Sequence, residues 1–170
     1  MMTVLKAIPH ECLNEKTFDY DVQLLKLNQK VKPEKTVSLL KVPRKRQFVI
    51  PGSVCETAGW GVTTNHNNKI SDKLMEVNVT ILKKTTCAKI WKSKKEYKMN
   101  ITKNMICTME KTEKGTCSGD SGGPLICRGE ITGITSFGDP ECGSSTDASV
   151  YSYLNRNIIK WIMTKLSEAP

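Results

Sequence analysis

Short apolar runs separated by turn residues dominate the chain from Phe48 onward. Residues 76–82 form the clearest run, because Val77, Val79 and Ile81 alternate with polar residues and predict a strand that buries one face. Many short strands of this kind are typical of an antiparallel β-barrel, whereas parallel sheets alternate strands with helices. The pattern therefore predicts an all-β fold for most of the chain.

The hydrophobic pattern is weaker in the first part of the chain. Residues 1–20 predict an irregular surface segment, and residues 28–36 predict a solvated connection. Strands are expected over residues 21–27 and 37–42, where valine and leucine side chains cluster. Regular structure is thus expected to be sparse at this end.

A hairpin pattern and a helical pattern follow near the end of the chain. Residues 124–127 and 131–137 are apolar runs joined by Arg-Gly-Glu, which predicts a tight hairpin. Asn155 is expected to cap a C-terminal helix. The apolar positions of this helix have helical spacing and should dock on the core: Ile158, Ile159, Trp161, Ile162 and Leu166.

The chain is basic, with 26 Lys and Arg against 17 Asp and Glu among 170 residues and a formal net charge of +9. The excess gathers in residues 44–46 and 83–98. Such runs are usually solvated loops, although they also suit weak docking to polyanions such as sulfated glycans or nucleic acid. No aromatic stacking platform favours nucleic acid, and no apolar segment is long enough to span a membrane.

Seven cysteines without a C-x-x-C pair favour disulfides in an oxidising compartment over a zinc site, although spacing alone does not pair them. No metal or cofactor motif is present. Sequons at Asn78 and Asn100 agree with a secreted route. Residues 1–9 are too short in their apolar run to be a signal peptide, so we expect an N-terminal part to be missing.

The glycine-rich stretch Gly115–Leu125 contains the strongest candidate for chemistry. Its Ser121 is surrounded by Gly119, Gly122 and Gly123, which allow backbone conformations that other residues avoid. The amides of Gly119 and Ser121 could converge on one point and form an oxyanion hole. Ser121 is therefore the candidate nucleophile.

Four segments together resemble the chymotrypsin-like serine proteases. The sequence GDSGGPL at Gly119–Leu125 resembles their nucleophile motif. Cys55–Gly61 resembles their Cys-x-x-x-Gly-Trp-Gly strand, and Asp21–Leu27 resembles the strand that opens on the triad aspartate. Ile134–Gly138 resembles the strand that pairs with substrate. The matches occur in the family's order from about residue 9 to residue 166.

The resemblance implies an all-β, chymotrypsin-like antiparallel β-barrel fold with a C-terminal α-helix. Residues 1–36 would be a remnant of the first barrel and the inter-barrel linker, residues 37–154 the complete second barrel, and residues 155–170 the helix and tail. It also implies a helix and loop within residues 83–104. The implied disulfides are Cys55–Cys127, Cys87–Cys107 and Cys117–Cys142.

Within this family the chain resembles granzymes A and K, trypsin-like proteases of cytotoxic lymphocyte granules. Cys12 lies nine residues before Asp21, like the cysteine that joins granzyme A dimers. The resemblance implies a secreted or granule-lumen protein, held on acidic proteoglycan and able to form a disulfide-linked homodimer through Cys12.

The resemblance also assigns roles to single residues. Ser121 would be the nucleophile and Asp21 the triad carboxylate, with Asp19 as a competitor. Asp120 would pair with the freed N-terminus that activates relatives. The substrate would contact the residues that match the specificity pocket and the pairing strand: Gly115, Thr116, Ser118, Ser136, Phe137, Gly138 and Ser149.

The catalytic histidine segment of the family is absent from this chain. Only His10 and His66 are present, and both are expected at the surface. Without the activated N-terminus, Asp120 would be poorly compensated. We expect a granzyme-like serine endopeptidase, acting on protein or peptide substrates through an acyl-enzyme, that is inactive as this chain. The alternative is a non-catalytic secreted homologue acting as a binding or decoy protein.

The expected specificity pocket departs from the trypsin-like pattern. Gly115 stands where trypsin-like relatives have an aspartate, so the base of the pocket offers no carboxylate to a substrate lysine or arginine. We expect a preference for uncharged, apolar side chains, unless Asp147 turns inward. Ser149, near a wall glycine of relatives, would narrow the pocket.

Overall fold

The computed structural model describes residues 2–63, 69–95, 98–109, 115–139, 142 and 148–168. Strands dominate this part of the chain, and two helices follow strands β4 and β8. The elements are β1 (Val4–Pro9), β2 (Gln23–Leu27), β3 (Val54–Gly59), β4 (Met75–Ile81), α1 (Lys84–Ser93), β5 (Met105–Met109), β6 (Pro124–Cys127), β7 (Glu130–Phe137), β8 (Ser149–Tyr153) and α2 (Arg156–Glu168).

Six antiparallel strands close into a barrel in the order β3-β4-β5-β8-β7-β6. Val79 and Ile81 on β4 are buried, whereas Glu76 and Asn78 are exposed, so the predicted alternation is confirmed. The all-β fold expected from the pattern is likewise confirmed. The barrel core consists of Cys55, Val79, Ile81, Leu125, Cys127 and Tyr151.

The predicted hairpin between β6 and β7 is also present. Its two turn residues, Arg128 and Gly129, have φ angles of +53° and +74°. Positive φ at both central residues is the geometry that matches the right-handed twist of the flanking strands. This turn carries the chain directly from β6 into β7.

Three disulfides join the pairs that the resemblance implied. Cys55–Cys127 links β3 to β6 inside the barrel with a Cα–Cα distance of 4.4 Å. Cys87–Cys107 links α1 to β5 at 6.3 Å, and Cys117–Cys142 closes at 5.3 Å. Cys12 is a free, exposed cysteine.

Helix α2 begins as its sequence predicts. The Asn155 side-chain oxygen accepts hydrogen bonds from the amides of Asn157 at 2.9 Å and Ile158 at 3.2 Å, which is the geometry of an N-cap. Four of the five expected core positions are buried, but Leu166 is 52% exposed because the apolar cluster under the helix ends at Ile162. Among the described residues, no helix is long and apolar enough to cross a membrane.

The expectation of an irregular segment over residues 1–20 is wrong in its first part. Val4–Pro9 forms strand β1, which pairs with β2 in a two-stranded antiparallel ribbon in which Ile8 faces Leu24. Ile8, Val22 and Leu24 pack against the apolar cluster under α2. The pairing partner lies about 15 residues further along the chain, so local pattern alone did not reveal this strand.

The strand expected over residues 37–42 is also absent. Within residues 28–53 the only β pairing is a bridge between Glu34 and Val37, and Leu39 and Leu40 are 64% and 58% exposed. A strand needs a neighbour with free hydrogen-bonding groups, but the barrel is closed, and neither strand of the β1–β2 ribbon pairs with this segment. The segment therefore follows the surface without pairing.

The outer face of the β1–β2 ribbon is apolar and exposed. Leu25 and Leu27 alternate with the inward-facing Leu24, and their side chains remain 52% and 36% accessible, while Leu5 on β1 is 64% exposed. Contiguous apolar surface and unpaired strand edges favour self-association. The ribbon is therefore the surface at which we expect this chain to aggregate or bind.

We predict that threonine at Leu5, Leu25 and Leu27 together reduces self-association of the chain, because the exposed apolar face is removed while β propensity is kept. Size-exclusion chromatography with light scattering measures the effect. The matched control is Leu24→Thr, which should leave self-association unrelieved and lower the free energy of unfolding by about 1–2 kcal/mol. An unchanged oligomer distribution in the triple variant would contradict the prediction.

Candidate active site

The candidate nucleophile Ser121 lies in an exposed turn that leads into β6. Gly119 and Gly122 flank it with φ angles of +97° and +84°, left-handed values that favour glycine. The amide of Gly123 donates to the carbonyl of Asp120 at 2.9 Å and closes the turn. The glycines expected to shape this turn therefore do so, and the serine remains accessible.

The carboxylate of Asp120 anchors this turn to the end of β3. Its Oδ1 accepts a hydrogen bond from the amide of Gly61 at 2.7 Å, and its Oδ2 accepts one from the amide of Cys117 at 2.9 Å. A Cβ atom at Gly59 or Gly61 would overlap the carboxylate, so both glycines are needed for its approach. The expectation that Asp120 is poorly compensated is wrong, because two main-chain amides hold its charge.

The amides proposed for the oxyanion hole remain available. The main-chain N–H groups of Gly119 and Ser121 donate no hydrogen bond to any group in the described ranges. The neighbouring carbonyl of Ser118 accepts from the amide of Val62 at 2.9 Å, which ties this side of the turn to the segment after β3. The amides of Gly119 and Ser121 therefore have no acceptor among the described residues.

Asp21 lies two residues before β2, and hydrogen bonds from the barrel fix two of its oxygen atoms. Its Oδ2 accepts a hydrogen bond from the Ser136 hydroxyl on β7 at 2.6 Å. Its main-chain carbonyl accepts from the Ser152 hydroxyl on β8, also at 2.6 Å. The barrel therefore determines both the position of this residue and the direction of its carboxylate.

Strand β7 connects the two candidate catalytic residues. The carbonyl of Thr135 accepts from the amide of Gly122 at 2.9 Å, and the amide of Thr135 donates to Gly123 at 2.8 Å. The next residue, Ser136, holds the Asp21 carboxylate. Adjacent residues of one strand thus bind the nucleophile turn and the carboxylate.

Asp19, the competing aspartate, is engaged elsewhere. Its Oδ1 accepts hydrogen bonds from Thr102 Oγ1 at 2.6 Å and Asn104 Nδ2 at 2.9 Å. The buried Asn104 in turn accepts a hydrogen bond from Asn155, the cap of α2, at 2.8 Å. A chain of polar side chains therefore runs from the segment that carries Asp21 to the start of the last helix.

His10 is not the surface histidine that the sequence led us to expect. Only 8% of it is exposed, and its ring stacks on Tyr20 with a centroid distance of 4.4 Å and lies 4.8 Å from the ring of Trp161. Its Nδ1 accepts a hydrogen bond from the amide of Cys12. The ring is thus part of the packing under α2, while His66 lies outside the described residues.

Three of the seven residues expected to form the specificity pocket, Thr116, Gly138 and Ser149, lie close together. The Thr116 hydroxyl donates to Ser149 Oγ at 2.8 Å, and Ser149 is buried. A Cβ atom at Gly138 would lie 3.9 Å from the same oxygen, so Gly138 faces this wall. Gly115 directly precedes Thr116 and supplies no charge; Asp147 lies outside the described residues.

Phe137, the middle residue of the expected substrate-pairing segment, packs inward on two aromatic rings. Its centroid lies 5.0 Å from Trp91 on α1 in an edge-to-face arrangement and 5.5 Å from Phe18. Gly138 and Ser118, on either side of the pocket, are exposed. The aromatic contacts hold the end of β7 while its backbone stays reachable.

Sequence reasoning missed the residues that support the site. Ser152 and Asn104 were not singled out, and Thr135 was read only as part of a strand. Thr135 acts through its main chain, and its buried hydroxyl has no hydrogen-bond partner among the described residues. The available signal for Ser152 was that a polar residue occupies a strand position that is buried in the barrel. Buried polar side chains are normally hydrogen-bonded, and a partner across the fold was therefore to be expected.

The fold and the arrangement of Ser121, Asp120 and Asp21 define a chymotrypsin-like protease scaffold. The family model described as Trypsin matches residues 1–162 of this chain. The chain therefore belongs to the trypsin family.

Several curated proteins are similar to this chain. Granzyme A of Bos taurus is 36% identical over 172 residues, covering 99% of this chain and 64% of the relative. Granzyme B(G,H) of Mus musculus is 40% identical over 139 residues, covering 81% of this chain and 54% of the relative. Kallikrein-7 of Homo sapiens is 32% identical over 158 residues, covering 92% of this chain and 59% of the relative.

A solved structure shows the same fold. Neuropsin, a serine protease expressed in mouse brain, superposes with a TM-score of 0.85 at 27% sequence identity, covering 97% of this chain and 71% of that chain. The chain spans 54–64% of the length of the curated relatives named above.

We predict that His10 makes the folded protein less stable as the pH falls. Burial lowers the pKa of His10 below its ordinary value of 6.5, against the opposing charges of Glu11 and Asp19. The unfolded chain therefore binds this proton more readily, and stability is lost as the pH falls from 6.5 through the folded-state pKa. Urea unfolding at pH 7.5 and 5.5 measures the loss.

The matched variant is His10→Phe, which keeps an aromatic ring between Tyr20 and Trp161 but does not titrate. It should show a smaller difference between the two pH values than the parent protein. Equal differences in both proteins would assign the acid sensitivity to other groups.

Proposed function

We propose that this chain carries the nucleophile, Ser121, and the carboxylate, Asp21, of a granzyme-like serine endopeptidase that cleaves peptide bonds through an acyl-enzyme. The observation that supports this most is the attachment of the nucleophile turn to Thr135 and of the Asp21 carboxylate to Ser136 on one strand. In such a reaction an imidazole takes the serine proton, and the carboxylate orients that imidazole.

The proposed roles of the other residues follow from this chemistry. The amides of Gly119 and Ser121 would receive the negative oxygen of the tetrahedral intermediate. Asp120 would hold these amides in place through its bonds to Gly61 and Cys117. The edge of β7 from Ser136 to Gly138 would bind the substrate backbone as an added strand.

The part of the chain that the structure describes brings no general base to the site. Within the described residues no imidazole is hydrogen-bonded to Ser121 or Asp21, and His10 is held by Tyr20 and Trp161 instead. Without a base, a triad enzyme retains at most a residual acceleration of about 10³–10⁴ over water. The same observation favours the second candidate, a non-catalytic binding or decoy role.

We predict that the chain alone hydrolyses a peptide thioester no faster than its Ser121→Ala variant. Added free imidazole, acting as an external base, should produce turnover that requires Ser121. This turnover should fall in Asp21→Asn, because the carboxylate no longer orients the base, and should persist in the matched control Asp19→Asn.

The outcomes separate the candidate functions. Serine-dependent turnover without imidazole would show that the chain already holds a base and would contradict our account of the site. Imidazole-dependent turnover that survives Ser121→Ala would remove Ser121 as the nucleophile. No turnover under any condition would favour the binding or decoy role.

We further propose that the pocket prefers uncharged, apolar side chains. Support comes from Gly115, which has no side chain, and from the Thr116–Ser149 hydroxyl pair, which offers hydrogen bonds but no charge. Burying a lysine or arginine without a partner costs several kcal/mol. The alternative is that Asp147, which lies outside the described residues, supplies a carboxylate.

We predict that Gly115→Asp creates affinity for a cationic probe. Benzamidinium should bind the variant about 10-fold to 100-fold more tightly than the parent, because the new carboxylate can pair with the amidinium. Isothermal titration calorimetry measures both constants. Asp147→Asn in the parent tests the alternative: strong benzamidinium binding that is lost in this variant would place the carboxylate at Asp147.

The finer assignments fit the same proposal. We propose residues 1–36 as a remnant of the first barrel and linker, residues 37–154 as the second barrel, and residues 155–170 as the helix and tail.

Three disulfides suit a secreted or granule-lumen protein. Exposed side chains support three further sites, namely glycosylation at Asn78 and Asn100 and homodimer formation through Cys12. The net charge of +9 suits an acidic proteoglycan partner.

A further inference from the structure

A shallow cleft of about 340 Å³ lies between the segment after β1 and one face of α2. Three aromatic side chains form its inner wall, since the His10 ring stacks on Tyr20 and lies beside Trp161. Lys160 and Lys165 line the cleft from the helix. None of these residues belongs to the candidate active site.

The inner wall of the cleft presents hydrogen-bond donors. Trp161 is 8% exposed, and its indole N–H has no hydrogen-bond partner in the described part of the chain. His10 accepts a hydrogen bond at Nδ1 from the amide of Cys12, so the neutral ring carries its proton on Nε2. Buried donors are normally paired, and the acceptor that the chain offers near this indole is the carboxylate of Glu11.

The charged side chains around the cleft indicate which kind of hydrogen-bond acceptor would bind there. Lys165 binds the carboxylates of Glu11 at 2.8 Å and Glu168 at 3.3 Å. Lys160 has no ion pair with any described residue. Among the described residues that line the cleft, Glu11 is the carboxylate, and its pKa is lowered mainly by its hydrogen bond with Lys165 and in smaller part by the Trp161 indole.

We propose that this cleft binds the carboxylate of an acidic peptide side chain. The carboxylate accepts a hydrogen bond from the Trp161 indole and pairs with Lys160, while the methylene groups beside it pack on the aromatic wall. The Glu11 side chain is mostly exposed and competes from within the chain for the same donors. This site is independent of the proposed peptidase chemistry.

The three tryptophans provide a direct test by ¹⁵N–¹H correlation spectroscopy, because each indole N–H gives its own signal. The probes are N-acetylglutamic acid α-amide, its glutamine counterpart and acetate, added at matched ionic strength. We expect the glutamate compound to move the Trp161 signal saturably and the glutamine compound to leave it in place. Trp60 is exposed, and Trp91 is a second buried indole without a partner outside the cleft, so their signals are internal controls.

Two substitutions test the named contacts. Glu11→Gln removes the internal competitor and should lower the half-saturating concentration about twofold to fivefold, whereas Lys160→Gln should raise it by a similar factor. Glu130→Gln on β7, outside the lining of the cleft, makes the same change in net charge as Glu11→Gln and should have a smaller effect.

Several results would overturn the proposal. These are the absence of a saturable shift at Trp161, equal shifts of all three indoles, or weaker binding in Glu11→Gln. Saturation by acetate at the same concentration as the glutamate compound would assign the cleft to small free carboxylates and reject the peptide side chain.

Discussion

Hydrogen bonds to two adjacent residues of β7 are the constraint on which the candidate site depends. Thr135 binds the turn that carries Ser121, and Ser136 binds the carboxylate of Asp21. These residues are distant in sequence, yet one strand fixes both. Because β7 pairs with β6 over residues 130–134 and with β8 up to Phe137 in a closed barrel, its register is fixed, although its last residues extend beyond the pairing with β6. The site is therefore as rigid as the barrel, which suits chemistry that needs fixed geometry.

The second constraint is a single carboxylate among main-chain amides. Asp120 takes hydrogen bonds from Gly61 and Cys117, and the glycines at positions 59 and 61 leave the space that it occupies. A charge in this position is stabilised by directed N–H groups rather than by a counterion. The Gly-Trp-Gly motif and the nucleophile motif thus form one unit, although about 60 residues separate them.

The two ends of the described fold differ in how completely their apolar surfaces are buried. The barrel core is closed, bridged by Cys55–Cys127 and covered by α2. The β1–β2 ribbon instead packs on one face and exposes leucines on the other. His10 belongs to the packed side, where Tyr20 and Trp161 hold its ring. A histidine can therefore be present in the sequence and still be unavailable as a base.

Local patterns in the sequence determined a large part of the structure. The alternation of apolar and polar residues predicted β4, the turn residues predicted the β6–β7 hairpin, and Asn155 predicted the start of α2. Each of these signals depends only on neighbouring residues. The motif around Ser121 and the resemblance that it carries identified the candidate nucleophile and the disulfide pairs.

Only the tertiary structure decided features that depend on distant partners. Strand β1 exists because β2 pairs with it, and residues 37–42 form no strand because neither the closed barrel nor the β1–β2 ribbon pairs with them. The burial of His10, the two amides that hold Asp120 and the Ser136 contact to Asp21 also join residues far apart in sequence. Periodicity carries no information about such contacts, since they arise only when the barrel has closed.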